Sequence, residues 1–252
     1  MKYLLKKYSA YLLLLSFLFA CKEQPKLITT YYDENNQTKK EEYYVVEKDG
    51  GKREGAYVSY HTNGAKKEER NYKNDELSGG YKIFENNGVL VEEAMYENNK
   101  LNGTRKLYSE DGNVAIEETY KDGEFSGAYK SFFKNNNVEQ EGTYLNNKMT
   151  GLWKYYYENG KLKEELTFAE NMENGPYKRY AENGNLESEG HYKNEKEEGY
   201  WKYYYENGKL KEEVNFTAGA EDGLVVVYSE KGDTIKKIEY TAGRVTKYKE
   251  YK

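Results

Sequence analysis

The chain has 252 residues, of which 37% are hydrophobic, 33% are charged and 16% are aromatic, and its formal net charge is −5. Thirty tyrosines against eight phenylalanines favour a thin sheet, whose tyrosines keep their hydroxyls in water, over a thick globular core. The single cysteine excludes an intrachain disulfide, and the negative charge disfavours nucleic-acid binding.

The first 20 residues have the pattern of a secretory signal peptide. Three lysines precede an apolar run that is too short to span a bilayer comfortably. Cys21 follows directly, and the segment Leu18-Phe19-Ala20-Cys21 resembles the lipobox of bacterial lipoproteins. The resemblance implies cleavage before Cys21 and attachment of diacylglycerol to its sulfur. The alternative is an ordinary signal peptide with an incidental cysteine.

Residues 21–30 are predicted to form a lipidated tether. Two or three acyl chains would anchor such a protein stably, whereas one chain would not. We therefore expect a membrane-anchored lipoprotein of the bacterial cell envelope, located in the outer membrane if the host is Gram-negative.

A glycine recurs every 24 residues through the rest of the chain. A fixed period of this length indicates one supersecondary unit stacked on itself. Residues 31–54 are predicted to be a degenerate capping repeat, residues 55–246 eight repeats, and residues 247–252 a C-terminal tail. The eight glycines, each taken as position 0 of its repeat, are Gly55, Gly79, Gly103, Gly127, Gly151, Gly175, Gly199 and Gly223.

Each repeat carries the signals of a β-hairpin. Positions +5 and +17 are aromatic in all eight copies, and six copies have Asn-Gly or Asp-Gly between them, such as Asn159-Gly160. Asn-Gly favours a two-residue type I′ turn, in which both residues have positive φ. The fold class predicted is all-β: an elongated array of antiparallel β-hairpins that forms one long twisted meander sheet.

The charges predict the strand register. Position +3 is Lys and position +14 is Glu in six copies, and a two-residue turn pairs them, as in Lys154 with Glu165. This register, which we favour, places positions +2, +11, +15 and +17 on one face. A three-residue turn with a bulge would instead place positions +5 and +11 on one face. In the fifth repeat the favoured register collects Trp153, Leu162, Leu166 and Phe168.

The segments Gly151–Glu165 and Gly199–Glu213 resemble the MORN-repeat variant, a family whose members are often described as YwqK-type antitoxins. The resemblance covers about three quarters of the chain and implies a string of hairpins in one twisted sheet. It implies a non-enzymatic protein that binds other molecules as a scaffold. The alternative function is that of an antitoxin or immunity-type protein that neutralises one toxin.

No catalytic, cofactor or metal site is predicted. His61 and His191 lie in distant repeats without a cysteine partner, and the glutamate pairs recur in several copies opposite lysines, as a structural ladder would. The expected partners are another protein or an envelope polymer, and the membrane through Cys21; we expect no nucleic acid and a monomeric chain. The aromatic residues at position +2 form the candidate binding surface, with sheet packing as their alternative role: Tyr57, Tyr81, Tyr129, Trp153, Tyr177 and Trp201.

Replacing the predicted lipidation site tests the anchor. In the Cys21→Ser variant we expect an uncleaved precursor that incorporates no radiolabelled palmitate, because the thioether can form only on the cysteine sulfur. Label incorporation and membrane retention are measured beside the wild-type chain. If both survive the substitution, Cys21 is not the anchor.

Overall fold

The structure is a computed structural model that describes residues 24–251, so Cys21 and the predicted signal peptide lie outside the described residues. The described residues contain one 3-10 turn, Glu47–Asp49, and a single sheet of 21 strands. The strands are β1 (Lys26–Tyr31), β2 (Lys39–Val46), β3 (Lys52–Tyr60), β4 (Lys66–Lys73), β5 (Glu76–Phe84), β6 (Leu90–Glu97), β7 (Lys100–Tyr108), β8 (Val114–Lys121), β9 (Glu124–Phe132), β10 (Val138–Leu145), β11 (Lys148–Tyr156), β12 (Leu162–Ala169), β13 (Met172–Tyr180), β14 (Leu186–Lys193), β15 (Lys196–Glu197), β16 (Gly199–Tyr204), β17 (Leu210–Thr217), β18 (Ala220–Glu221), β19 (Gly223–Tyr228), β20 (Thr234–Thr241) and β21 (Arg244–Glu250).

The strands follow one another across the sheet in chain order, each antiparallel to its neighbours. Both β15 and β16 pair with β14, and both β18 and β19 pair with β17, so each of these two pairs is one strand interrupted by a single residue. The sheet is open, with β1 and β21 at its two edges. The predicted hairpin array in meander order is confirmed.

Both ends of the array differ from the predicted boundaries. Strand β1 begins at Lys26, inside the segment predicted as the tether, and Lys26 pairs with Val45 as position 0 pairs with position +17 elsewhere. The capping repeat therefore starts before residue 31, and its extra residues are divided between the loop that joins β1 to β2 and the segment with the 3-10 turn before β3. At the other end, most of the predicted tail belongs to β21, because β20 offers it a pairing edge.

The predicted type I′ geometry of the Asn-Gly turn is wrong. In the fifth repeat only Gly160 of this turn has a positive φ, of 82°, and its amide donates to the Tyr157 carbonyl at 2.8 Å. The Tyr157 amide donates to the Lys161 carbonyl, which closes a three-residue loop with a glycine bulge. The Asn159 side chain accepts a hydrogen bond from the Lys161 amide, which explains the preference for asparagine at this position.

The type I′ geometry occurs instead at the connection between repeats. Asn146 and Asn147 have φ values of 50° and 65°, and Leu145 pairs with Lys148 across them. Asparagine tolerates this left-handed conformation better than most residues do. The two ends of each hairpin are therefore closed by two different turns.

The three-residue loop changes one position in the predicted face pattern. Lys154 pairs with Glu165 and Trp153 with Leu166, as predicted, but Tyr156 pairs with Leu162 because a second bulge follows at residue 163. Position +11 therefore lies on the face opposite Trp153. We name the face with positions +3 and +14 the charged face, and the face with positions +2, +15 and +17 the aromatic face.

Gly160 offers a test of the turn geometry. Gly160→Val is expected to lower the free energy of unfolding by more than ~1 kcal/mol, because a β-branched residue is strained at positive φ. Gly160→Asn is expected to cost less, because Asn136 occupies the same repeat position with a φ of 67°. Lys154→Ala, which removes one exposed charge pair, is the control and is expected to cost well under ~1 kcal/mol. Equal losses for Val and Asn in urea unfolding would contradict the assigned turn.

Candidate binding surfaces

The aromatic residues at position +2 pack in the interior of the aromatic face. Burial of this kind makes them the core of the array, and a partner can reach the two tryptophans only by displacing their neighbours. Their use as a ligand surface therefore stays a prediction, and packing is the role that their burial supports. Trp153 and Trp201 expose 1% and 2% of their surface, Tyr57 and Tyr177 expose 8% and 9%, and Tyr81 and Tyr129 are half-buried.

Each tryptophan lies on a glycine of the preceding repeat. A Cβ atom built on Gly142 would come within 2.2 Å of the Trp153 ring, and one on Gly190 within 2.2 Å of the Trp201 ring. The Trp153 ring centroid is 5.6 Å from that of Tyr129 and 5.2 Å from that of Tyr144. Ring contacts of this kind connect one repeat with the next. The sequence signal for them is a glycine eleven residues before each tryptophan.

The two halves of the aromatic face differ in charge compensation. In the N-terminal half, the Arg105 guanidinium lies 2.7 Å from a Glu92 carboxylate oxygen and 3.1 Å from one of Glu118. In the C-terminal half, burial raises the pKa of the Glu197 and Glu212 carboxyls. Desolvation is the largest cause of both shifts, and the negative charge of Glu221 raises both pKa values further.

The charged face carries one ionic side chain from each successive strand. Lys130 Nζ lies 3.0 Å from a Glu141 oxygen, and the corresponding distance is 3.9 Å in three other repeats. Each glutamate also pairs with the lysine of the next repeat, as Glu141 pairs with Lys154. The result is a continuous row of alternating charges across the sheet, in the order Glu69, Lys82, Glu93, Lys106, Glu117, Lys130, Glu141, Lys154, Glu165, Lys178, Glu189, Lys202 and Glu213.

The tyrosines at position +5 join this row to the preceding repeat. The Tyr156 hydroxyl donates to Glu141 at 2.7 Å, and Tyr204 donates to Glu189 at the same distance. Burial, together with the adjacent carboxylate, raises the pKa of Tyr156 to about 12. The hydrogen bond from Tyr156 and the ion pair with Lys130 lower the pKa of Glu141. Glu141 is therefore ionised at neutral pH.

Beside the charged row, position +1 exposes apolar side chains that the sequence patterns did not single out. Tyr200 is 79% exposed, whereas Leu152 and Leu224 are 49% and 45% exposed. Shallow clefts recur between consecutive repeats along this face. One cleft of 330 Å³ is lined by Gly80, Lys82, Glu93, Met95, Thr104 and Lys106. In the sequence, this surface corresponds to the residue that directly follows each repeat glycine.

The structure keeps the two histidines apart. The His61 ring nitrogen Nε2 lies 2.9 Å from the Phe84 carbonyl oxygen, whereas His191 lines a cleft of 360 Å³ with Tyr200. Within residues 24–251, no group of three or more His, Cys, Asp or Glu side chains is placed to hold a metal ion.

The glycine under Trp153 gives a sharp test of the core. Gly142→Ala is expected to cost about 1–3 kcal/mol of unfolding free energy, because the new methyl group displaces the indole ring. In a Trp153→Val background the same substitution is expected to cost almost nothing. Val214 and Val225 form the natural counterpart, since they occupy the same two positions without strain. Equal costs in both backgrounds, measured by urea unfolding, would exclude the close contact.

Glu212 and Glu141 are expected to affect stability in opposite directions. The folded pKa of Glu212 is raised above its usual value of 4.5, so its ionised form destabilises the fold at pH 7 and this penalty disappears below pH 4.5. The folded pKa of Glu141 is lowered, so its stabilising effect is present above pH 4.5 and is lost as the pH falls further. At pH 7, Glu212→Gln should therefore raise the Tm and Glu141→Gln should lower it. Shifts of the same sign would contradict these environments.

Comparisons with solved structures give only distant similarity. The crystal structure of TcdB2-TccC3-Cdc42 matches at 11% identity with a TM-score of 0.22, over 87% of this chain and 15% of that chain. The crystal structure of TcdB2-TccC3 matches at 11% identity with a TM-score of 0.21, over 88% of this chain and 14% of that chain. A porin-like protein from Bacteroides uniformis ATCC 8492 matches at 11% identity with a TM-score of 0.19, over 90% and 95% of the two chains.

No curated protein matches the chain. The family model described as MORN repeat variant matches residues 53–74, 101–122, 126–146, 149–170, 173–194 and 197–218, together about half of the chain. These segments coincide with the hairpins whose turns, core residues and charge pairs are described above. The chain belongs to the MORN repeat variant family.

Proposed function

We propose that this chain is a non-enzymatic, lipid-anchored scaffold that binds a macromolecular partner, in the first place a protein, through its charged face. The observation that carries the proposal is the exposure of large apolar side chains beside a row of alternating charges. Tyr200 is 79% exposed although its neighbour Trp201 is 2% exposed. Residues that the array does not need for packing are available to a partner.

The division between the two faces supports this choice of surface. The aromatic face buries its own side chains, whereas the charged face leaves Leu152 and Leu224 about half exposed. Protein interfaces commonly combine an apolar centre with polar groups around it. The repetition of the Lys and Glu pair in six hairpins fits an extended contact better than a single catalytic pocket. An envelope polymer is the second type of partner that such a surface fits.

The proposed anchor lies close to the sheet. Four residues separate Cys21 from the start of β1 at Lys26, and five extended Cα–Cα steps reach at most ~18 Å. A lipid on Cys21 would therefore hold the first hairpin near the membrane surface. This supports a place in the bacterial cell envelope, in the outer membrane if the host is Gram-negative. Among residues 24–251 there is no helix long and apolar enough to span a membrane.

Site-specific photo-crosslinking in the host cell tests the proposed surface. A photoreactive residue at Leu152 or Tyr200 is expected to form a defined cross-linked product, because both side chains project from the charged face. The matched control is Lys161, which is exposed in the Asn-Gly turn and is expected to give no product. Mass spectrometry identifies the cross-linked molecule.

The outcomes separate the candidate functions. A defined partner at Leu152 and Tyr200 but not at Lys161 supports the scaffold. A cross-linked toxin whose activity the purified chain suppresses supports the alternative, an antitoxin or immunity-type protein. The absence of any product from the charged face, with cross-linking confirmed in a positive control, overturns the proposal.

A further inference from the structure

The alternating row on the charged face has a symmetry property that a random charged surface lacks. From Glu69 to Glu213, each strand contributes one charge, and the sign changes at every step. Neighbouring strands lie ~4.8 Å apart, so the charges recur at that spacing. If a second identical row is reversed and laid over the first with its axis between two adjacent strands, every Lys lies opposite a Glu.

We propose that the partner of the charged face is a second copy of this chain, packed face to face about a two-fold axis parallel to the strands, in place of the monomer expected from the sequence. The proposal rests on the scaffold function above and names its partner. A two-fold axis makes the interface isologous, so one surface must complement itself. The opposite arrangement, in which both rows run the same way in register, places Lys on Lys and Glu on Glu and is disfavoured by repulsion.

The side chains at position +1 select where the axis lies. The first four repeats carry small residues there and the last four carry larger ones. An axis between β10 and β11, at the centre of the array, sets the larger half of one copy against the smaller half of the other. From the first repeat to the eighth, position +1 is Ala56, Gly80, Thr104, Ala128, Leu152, Pro176, Tyr200 and Leu224.

This axis gives specific contacts. Leu152 on β11 faces Thr143 on β10 of the second copy, close to the axis. Tyr200 on β16 faces Met95 on β6 of the second copy. Met95 lines the cleft of 330 Å³, whose other walls include Gly80 and Thr104. The most exposed large side chain of the face thus lies opposite a concave site with small residues around it.

The available area is sufficient for a specific dimer. The strands from β5 to β17, whose charges the axis sets opposite one another, span ~53 Å, and positions +1 to +5 span ~13 Å along each strand, which gives ~700 Å² per copy. A standard interface buries about 800 Å² per partner. Two twisted sheets that pack face to face align within about 30°, so contacts near the axis are the most closely packed.

Cysteine cross-linking between differently tagged copies in the cell envelope tests the register. Leu152→Cys in one copy with Thr143→Cys in the other, and Tyr200→Cys with Met95→Cys, are expected to give mixed-tag products with a short bismaleimide. The matched control is Leu152→Cys in one copy with Met95→Cys in the other. Both positions are exposed on the charged face, and the axis places them about four strands, or ~19 Å, apart. Peptide mass spectrometry distinguishes these products from any formed through Cys21.

We expect the two designed pairs to exceed the control at least tenfold. Equal yields for all three pairs, or a Met95→Cys product with itself as the main species, overturn the two-fold register. If the photo-crosslinks from Leu152 and Tyr200 contain another protein and not this chain, the dimer is wrong while the scaffold function stands. If they contain nothing, both proposals fail.

The mass of the purified full chain in mild detergent gives a second measurement. Light scattering is expected to show a dimer whose dissociation constant rises at least tenfold in Tyr200→Ala. Tyr200 is 79% exposed, so the substitution should leave the Tm unchanged. Tyr248→Ala, which removes a 55% exposed tyrosine of β21, outside the strands from β5 to β17, is the control and should leave the dimer intact. A wild-type monomer at tens of micromolar concentration overturns the proposal.

Discussion

The whole array depends on the backbone conformation at the two ends of each hairpin, because a single-layer sheet has no second layer to fix its register. Asn147 shows how one end is held: its amide donates to the Phe125 carbonyl, and its side-chain oxygen accepts from the Phe125 amide at 2.8 Å. At the other end the Tyr157 hydroxyl donates to the Tyr180 carbonyl at 2.8 Å. Consecutive repeats are thus joined at both edges, which keeps the period at 24 residues.

That fixed period allows the aromatic face to bury itself. Aromatic rings of neighbouring repeats come within contact distance only if no residue is inserted between them, as with Tyr177 and Trp201, whose centroids are 5.3 Å apart. Each tryptophan ring occupies the space that the side chain of a larger residue would fill at a glycine of the preceding repeat. The packing is therefore local, and each repeat depends mainly on its neighbours. Carboxyls that share this face, such as Glu197, carry a desolvation penalty that the aromatic contacts must exceed.

The same alternation of side chains leaves the other face exposed to solvent. Residues on either side of Trp153, namely Leu152 and Lys154, project away from the core and meet solvent. The Lys and Glu row contributes little to stability, since exposed ion pairs are worth about 0–1 kcal/mol each. Its regular order along the sheet instead provides a pattern that a partner can read, and that pattern is the basis of the proposed two-fold contact.

From the sequence alone, the glycine period determined the repeat architecture, and the Lys and Glu positions determined the pairing of Lys154 with Glu165. Both are local consequences of chain periodicity and charge. Only the tertiary structure decided the turn types, because Asn-Gly is compatible with both a type I′ turn and a bulged three-residue loop. The loop moved Leu162 to the charged face. The tertiary structure also showed that Trp153 is buried on Gly142 whereas Tyr200 is exposed. Exposure depends on contacts between repeats, and the sequence of one repeat does not determine those contacts.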